Sequence, residues 1–262
     1  MSLIDTHCHL DFPEFDSWRE QAITAAREAG IETIIVPGVT AEHFERVLSL
    51  SRQYPDLIKP ALGLHPCFMS HHQESDPDRL EQYLQTTSGV VAVGEIGLDF
   101  FIEDAEPERQ VELFRQQLLL AQCYDLPVLL HVRKAHDEVL KQLRRIPLKS
   151  GGIVHAFSGS QQQARQYAEL GFRLGFGGAM TYARATKLRR LASELPLEWL
   201  VLETDAPDMP LEGFRDQPNF PAQVARVAAL MAELRQCEVG LISCVTSQTA
   251  RTLLRLGSTP SV

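Results

Sequence analysis

His7, His9, Glu95, His131, His155 and Asp205 each stand at the end of a short apolar run. Imidazoles and carboxylates are the donors that zinc, manganese or a similar divalent ion accepts, and a mixed set of this size exceeds what one tetrahedral ion requires. Two ions are the expectation. In Ile4-Asp5-Thr6-His7-Cys8-His9 the histidines are two apart. Alternation along extended backbone turns both to one side and sends Cys8 the other way, into packing. An isolated H-x-H is a weak signal, and any one of the other four could simply cap the helix that follows it. All of them at strand ends make one site the better reading.

Two divalent ions about 3.5 to 4 Å apart can share a carboxylate and a water, lower that water's pKa towards roughly 7 and clamp the attacking and leaving oxygens of a phosphodiester. Hydrolysis is the chemistry such a set offers. Glu95 is the candidate bridge, with His7, His9 and Asp205 on one ion and His131 and His155 on the other; Asp205 also suits a base that orients the nucleophile. The ions bring +4 and the two carboxylates -2, so the loaded site carries about +2 and can hold an anion. His65, in Gly63-Leu64-His65-Pro66, faces the same mouth. Substrate contact, proton transfer and a structural hydrogen bond all fit it. His43, His71, His72 and His136 read as surface residues, and Cys67 as a small buried one. Ser158 lacks the G-x-S-x-G context of a serine nucleophile.

Something must deliver these side chains to one place. Short β-branched runs alternate with helical periodicity throughout, the pattern of a parallel sheet with crossover helices. Eight strands are expected, at about 3–6, 33–37, 60–64, 90–96, 128–131, 152–156, 173–176 and 200–203. Eight β/α units in this length are the dimensions of a single TIM-like (β/α)8 barrel over residues 1–262, whose strands present functional groups at their C-terminal ends. Helix signals agree with that division. Capping boxes are expected at Ser17 to Glu20 and Ser160 to Gln163, a cap at Asp76 before Pro77, an apolar stripe at Val111, Phe114, Leu118 and Ala121, and a last helix over 239–256 with fraying after Gly257.

The chain has 262 residues, 44% hydrophobic, enough for a full core, and no apolar run long enough to cross a bilayer. Five scattered cysteines without C-x-x-C spacing fit a reducing cytoplasm, and nothing indicates an obligate protein partner or more than a monomer. A formal charge of -9 argues against electrostatic coating of nucleic acid. Basic residues are nevertheless grouped locally, Arg184, Lys187, Arg189 and Arg190 in one stretch and Arg133, Lys134, Lys141, Arg144 and Arg145 in another, and acids gather at Asp99, Glu103, Asp104, Glu106 and Glu108. Such runs are most often solvated faces.

Ile4 to Asp11, Ala61 to Pro66, Val93 to Asp99, Leu126 to His131 with Arg133, His155 to Gly159 and Leu202 to Pro207 together resemble the TatD-type metal-dependent deoxyribonucleases of the amidohydrolase-like superfamily, most closely their YjjV branch. The resemblance spans nearly the whole chain. It implies a TIM-like barrel, two divalent ions (zinc, manganese or magnesium) on the six ligands, and 3′-to-5′ exonuclease or related endonuclease activity on DNA. Arg133, Arg184 and Lys187 are then candidate phosphate contacts. This chain departs from the family after Asp99, where Phe100-Phe101-Ile102 leads into acids in place of an aromatic followed by a basic residue. Glu203 shares strand parity with Asp205 and suits a carboxylate that orients a ligand. The same activated water would equally serve an amidohydrolase or a deacylase of a small metabolite or aminoacyl-tRNA, and a metal-binding scaffold without catalysis is a third reading.

Overall fold

The apolar runs become eight parallel strands in a computed structural model of the protein, which describes residues 2–257. They are β1 (Leu3–Asp5), β2 (Ile31–Pro37), β3 (Ile58–Leu62), β4 (Ala92–Asp99), β5 (Val128–Arg133), β6 (Gly152–Val154), β7 (Phe172–Phe176) and β8 (Leu200–Leu202), each bonded to the next in chain order. Hydrogen bonds just beyond the strand ends close the seam between β8 and β1. The Thr6 N–H donates to the Leu202 carbonyl at 3.0 Å, that of Asp205 to His7 at 2.8 Å, and that of His9 to Ala206 at 2.8 Å. The fold is a TIM barrel.

Crossover helices pack around it: α1 (Arg19–Glu28), α2 (Phe44–Gln53), α3 (Asp76–Thr86), α4 (Pro107–Cys123), α5 (His136–Arg145), α6 (Gln161–Glu169), α7 (Thr186–Glu194), α8 (Val224–Arg235) and α9 (Val239–Leu253). Phe114, Leu118 and Ala121 of α4 are buried as the stripe requires. The Ser160 capping box forms, with Ser160 and Gln163 exchanging side-chain-to-backbone bonds that satisfy two N–H groups of the first turn of α6. The other two expected caps do not form. At α1 a preceding 3-10 turn carries the chain into the helix, the Trp18 N–H bonds to Phe15, and Trp18 rather than Ser17 stands at the helix start with no side-chain cap bond. At α3, Asp76 is inside the helix and its carboxylate turns back to the Gln73 N–H at 2.9 Å and to Arg79 at 3.0 Å. The expected fraying after Gly257 lies outside the described residues.

Two apolar layers make the core. The larger joins the outer strand faces to the helices, and the smaller contains Ile4, Ile35, Ala61, Ala92, Leu129, Ile153 and Val201, one from each of seven strands, with Ala250 and Leu254 from the end of α9. Side chains two apart on a strand point the same way, so Leu129 lies below His131, Ile153 below His155 and Val201 below Glu203. Greasy floor and polar mouth are thus consecutive layers of one interior. Leu129→Ala would open a hole in that floor costing about 2–5 kcal/mol.

Glu95 does not follow this parity, being three residues beyond Ala92. The pairing of β4 with β5 explains it. Val93 faces Val128 and Ile96 faces Leu130, so three steps along β4 match two along β5. That bulge re-aims one side chain, and the carboxylate of Glu95 enters the interior.

Candidate metal centre

His7 and His9 follow β1, where the Asp5 carboxylate fixes the turn of the chain. It accepts the His7 N–H at 3.3 Å, the Thr204 N–H at 2.9 Å and the Thr204 hydroxyl at 2.6 Å. Burial pushes Asp5 up to about 8 despite these donors. Asn219 steadies the opposite side of the seam, its Nδ2 donating to the Thr204 carbonyl at 2.8 Å and to that of Asp208 at 3.0 Å. Between them Asp205 takes a left-handed φ of 58°. A non-glycine residue held there by its surroundings is the kind of local strain found at functional sites.

All six expected ligands meet at the mouth. Glu95 is buried at the centre, and its two oxygens face different groups. Oε2 is 3.1 Å from His7 Nε2 and 3.4 Å from His9 Nε2, with Asp205 Oδ1 3.7 and 3.8 Å from the same two nitrogens. Oε1 is 3.0 Å from His155 Nε2, 3.2 Å from His131 Nδ1 and 3.3 Å from His65 Nε2. Donors at about 2.0–2.1 Å from a tetrahedral ion stand roughly 3.3 Å from one another, close to these separations. His7 Nε2 and His9 Nε2 are themselves 3.3 Å apart and share one carboxylate oxygen. Their convergence fits a cation between them better than a chain of hydrogen bonds, since each neutral ring carries only one proton.

Charge supports the same fit. Burial opposes ionisation of Glu95, yet His65, His7 and His155 hold it well below the ordinary carboxylate range. Burial also disfavours charge on His155, but Glu95 and Asp205 lift it to about 9. For His7 burial wins, with His155 adding to it, and the ring falls to about 3. The carboxylates therefore recruit protons to part of the cluster where a divalent ion would otherwise sit.

Partners behind the ligands differ. Asp99 Oδ2 is 2.9 Å from His131 Nε2, while Asp99 Oδ1 accepts the Phe101 N–H at 2.8 Å. Burial opposes its charge, but the bond to His131 and the backbone donor bring Asp99 down to about 2. Glu203 Oε1 takes the Ala156 N–H at 2.5 Å and lies 3.7 Å from His155 Nδ1. Gly175 makes room for it, since a Cβ there would stand 2.1 Å from Glu203 Oε2. His7 Nδ1, His9 Nδ1 and His155 Nδ1 are buried without a hydrogen-bond partner among the described residues.

Asp99 is the residue that reading the sequence as an acidic run missed. It is fully buried, unlike exposed Glu103, Asp104, Glu106 and Glu108. The usable signal was parity, for Glu95, Gly97 and Asp99 alternate along one strand that continues beyond the expected end at Ile96. Cys67 is exposed, its thiol 3.4 Å from Asp99 Oδ2, and not the small buried residue expected. Of the histidines read as surface residues, His71 is exposed, His43 is half-buried beside the Thr40 hydroxyl, His72 is buried with Nε2 2.9 Å from the His65 carbonyl, and His136 is half-buried with Nδ1 3.2 Å from the Tyr167 hydroxyl. Cys8 faces the core as expected.

The mouth opens into a cavity of about 650 Å³ lined by His9, Phe12, His65, Phe68, His131 and Arg133, among others. Arg184 and Lys187 do not line it. Arg184 borders a neighbouring hollow beside Tyr182, and the Lys187 ammonium donates to the Ser158 carbonyl at 2.6 Å.

The family model described as TatD related DNase matches residues 4–255. The chain is 51% identical over 234 residues to YjjV of Escherichia coli (strain K12), described as an uncharacterized metal-dependent hydrolase, covering 89% of this chain and 90% of that one. It is 31% identical to a 3′-5′ ssDNA/RNA exonuclease TatD of Erwinia tasmaniensis, covering 97% and 100% of the two chains. Its fold is similar to the crystal structure of YjjV, a TatD homologue from Escherichia coli K12, with a TM-score of 0.94 at 47% identity over 97% of this chain and 98% of that one.

Proposed function

This chain belongs to the TatD related DNase family and is a metal-dependent hydrolase, and from that premise we propose that it cleaves phosphodiester bonds at the 3′ end of single-stranded DNA. The observation that carries the reading is the division of Glu95, whose two oxygens address two sets of imidazoles. Glu95 would serve both ions, with His7, His9 and Asp205 holding one and His131 and His155 the other. Such ions would supply Lewis acidity to a water and to the diester oxygens. Zinc, manganese and magnesium are the candidates.

The chain's own residues supply the rest. Asp205, partly open to the cavity, is placed to accept the proton of the attacking water. His65 acts as a neutral donor. Its Nδ1 accepts the Cys67 N–H at 3.1 Å, so the ring proton sits on Nε2, pointing at Glu95 and the cavity. Burial holds this ring down at about 4, which suits it to donating a hydrogen bond to a phosphoryl oxygen and excludes it as a base at neutral pH. Arg133, exposed at the cavity edge, offers the phosphate contact. Arg184 and Lys187 lie further out and suit the strand beyond the cavity. The absence of a helix long and apolar enough to cross a membrane among the described residues is compatible with the cytoplasmic assignment we favour.

A 5′-labelled single-stranded oligonucleotide tests the reading. Progressive shortening from the 3′ end is expected, dependent on added metal and abolished in Glu95→Ala, which should also hold fewer than two ions per chain. Intact oligonucleotide under magnesium, manganese and zinc, with turnover of a carboxylic ester or amide by the same protein, would overturn it.

A further inference from the structure

Phe101 is 56% exposed, which is costly for a large apolar ring, and it stands at the mouth rather than on an outer helix. Its position is nevertheless fixed. The Phe101 N–H donates to Asp99 Oδ1 at 2.8 Å, and the other oxygen of that carboxylate is 2.9 Å from His131 Nε2. One side chain therefore ties the ring to a candidate metal ligand. Arg133, two residues beyond His131 on β5, places its guanidinium carbon 4.0 Å from the centre of the Phe101 ring and also lines the cavity. Among the described residues Arg133 makes no ion pair, although exposed acids follow Phe101 closely in the chain. A guanidinium over a ring face keeps N–H groups for phosphate oxygens.

We infer that Phe101, stacked with Arg133, is the platform on which a nucleobase beside the scissile bond rests, an assignment that builds on the phosphodiesterase reading above. Every base has a π face, so such a platform accepts unpaired bases with little regard to sequence. Electrostatics sets the orientation. Glu103, Asp104 and Glu108, exposed soon after Phe101 in the chain, repel phosphates and Arg133 attracts them, so the sugar–phosphate backbone runs on the Arg133 side, towards the metal ligands, and the base turns to the ring. A base inside a duplex is already stacked and cannot take that place. The aromatic ring thereby replaces, through the base, part of the hold on the strand that a basic residue in this loop would exert through the backbone.

The test reads binding as well as cleavage. Metal-loaded wild type, Phe101→Ala, Phe101→Leu and Phe101→Trp are compared on single-stranded oligonucleotides with phosphorothioate terminal linkages, either intact or carrying an abasic residue at one of the last three positions. Wild type should lose about 5- to 150-fold in affinity when the abasic residue occupies a position flanking the scissile bond. Phe101→Ala and Phe101→Leu should show a similar loss on the intact strand and little further loss on the abasic one. Phe101→Trp should keep the affinity, and its added fluorescence should be quenched only by strands that carry the base. Equal affinity of wild type for intact and abasic strands at all three positions overturns the platform. Base-dependent binding without cleavage of an unmodified strand would sustain the platform and overturn the phosphodiesterase reading, and cleavage without base dependence would do the reverse.

Discussion

At the β5 side of the mouth His131 has its outer nitrogen against Asp99 at 2.9 Å, whereas His7, His9 and, 3.7 Å from Glu203, His155 bury Nδ1 with no hydrogen-bond partner among the described residues. The β1 rings are held by packing instead. His7 stacks on His155 at 4.0 Å between centroids, and His9 on Phe12 at 4.5 Å. A carboxylate behind an imidazole fixes the tautomer and raises the ring's strength as a donor. Stacking fixes only the plane. His131 and the β1 rings therefore reach their geometry by different means, and the ring nearest the Phe101 loop is the one bonded to a carboxylate behind it.

The largest test of that contrast is removal of the carboxylates one at a time. Asp99→Asn and Glu203→Gln should each weaken one ion by about 10- to 100-fold and leave the other nearly unchanged, as resolved in a two-step metal-binding isotherm. Equal weakening of both steps would mean that the halves are not separately supported. A smaller signal comes from protons. Metal binds neutral imidazole, so any ring protonated in the metal-free protein must release its proton on loading. His155, lifted to about 9, and His131, also raised well above its ordinary value, are charged at pH 7, while His7 at about 3 is not. Loading at pH 7 should thus expel protons chiefly from the β5–β6 half. Apparent affinity should rise as pH is raised above 7, read from calorimetry in buffers of different ionisation enthalpy. His9 is raised too, so the contrast rests on His7. The smallest effect is expected from Phe12→Leu, which removes a stacked ring worth about 0.5–1.5 kcal/mol, or a few-fold in affinity for the ion on His9. A loss as large as that of Asp99→Asn would show that stacking and carboxylates do equal service.

The barrel could be read from the order of apolar runs, and the meeting of six candidate side chains from their place at run ends, because both follow from a parallel strand delivering its last residues to one rim. What escaped depends on pairing and on distant neighbours. The bulge that turns Glu95 inward is a matter of register between β4 and β5, and no residue type announces it. Asp99 looks like its acidic neighbours until β4 is seen to continue for three residues past Ile96. His72 and His136 gain their burial from the His65 carbonyl and from Tyr167, contacts that sequence spacing does not encode. Cys67 erred the other way, since the turn after His65 presents its thiol to the mouth.

The Asp5 carboxylate that receives Thr204 joins points 199 residues apart in the chain. Synthesis proceeds from the N-terminus, so a growing polypeptide carries His7 and His9 for most of its time on the ribosome without the carboxylate of Asp205 that completes their pocket. The latch closes only when β8 has emerged and met β1. A half-made barrel thus lacks the seam bonds that set Asp205 beside His7 and His9.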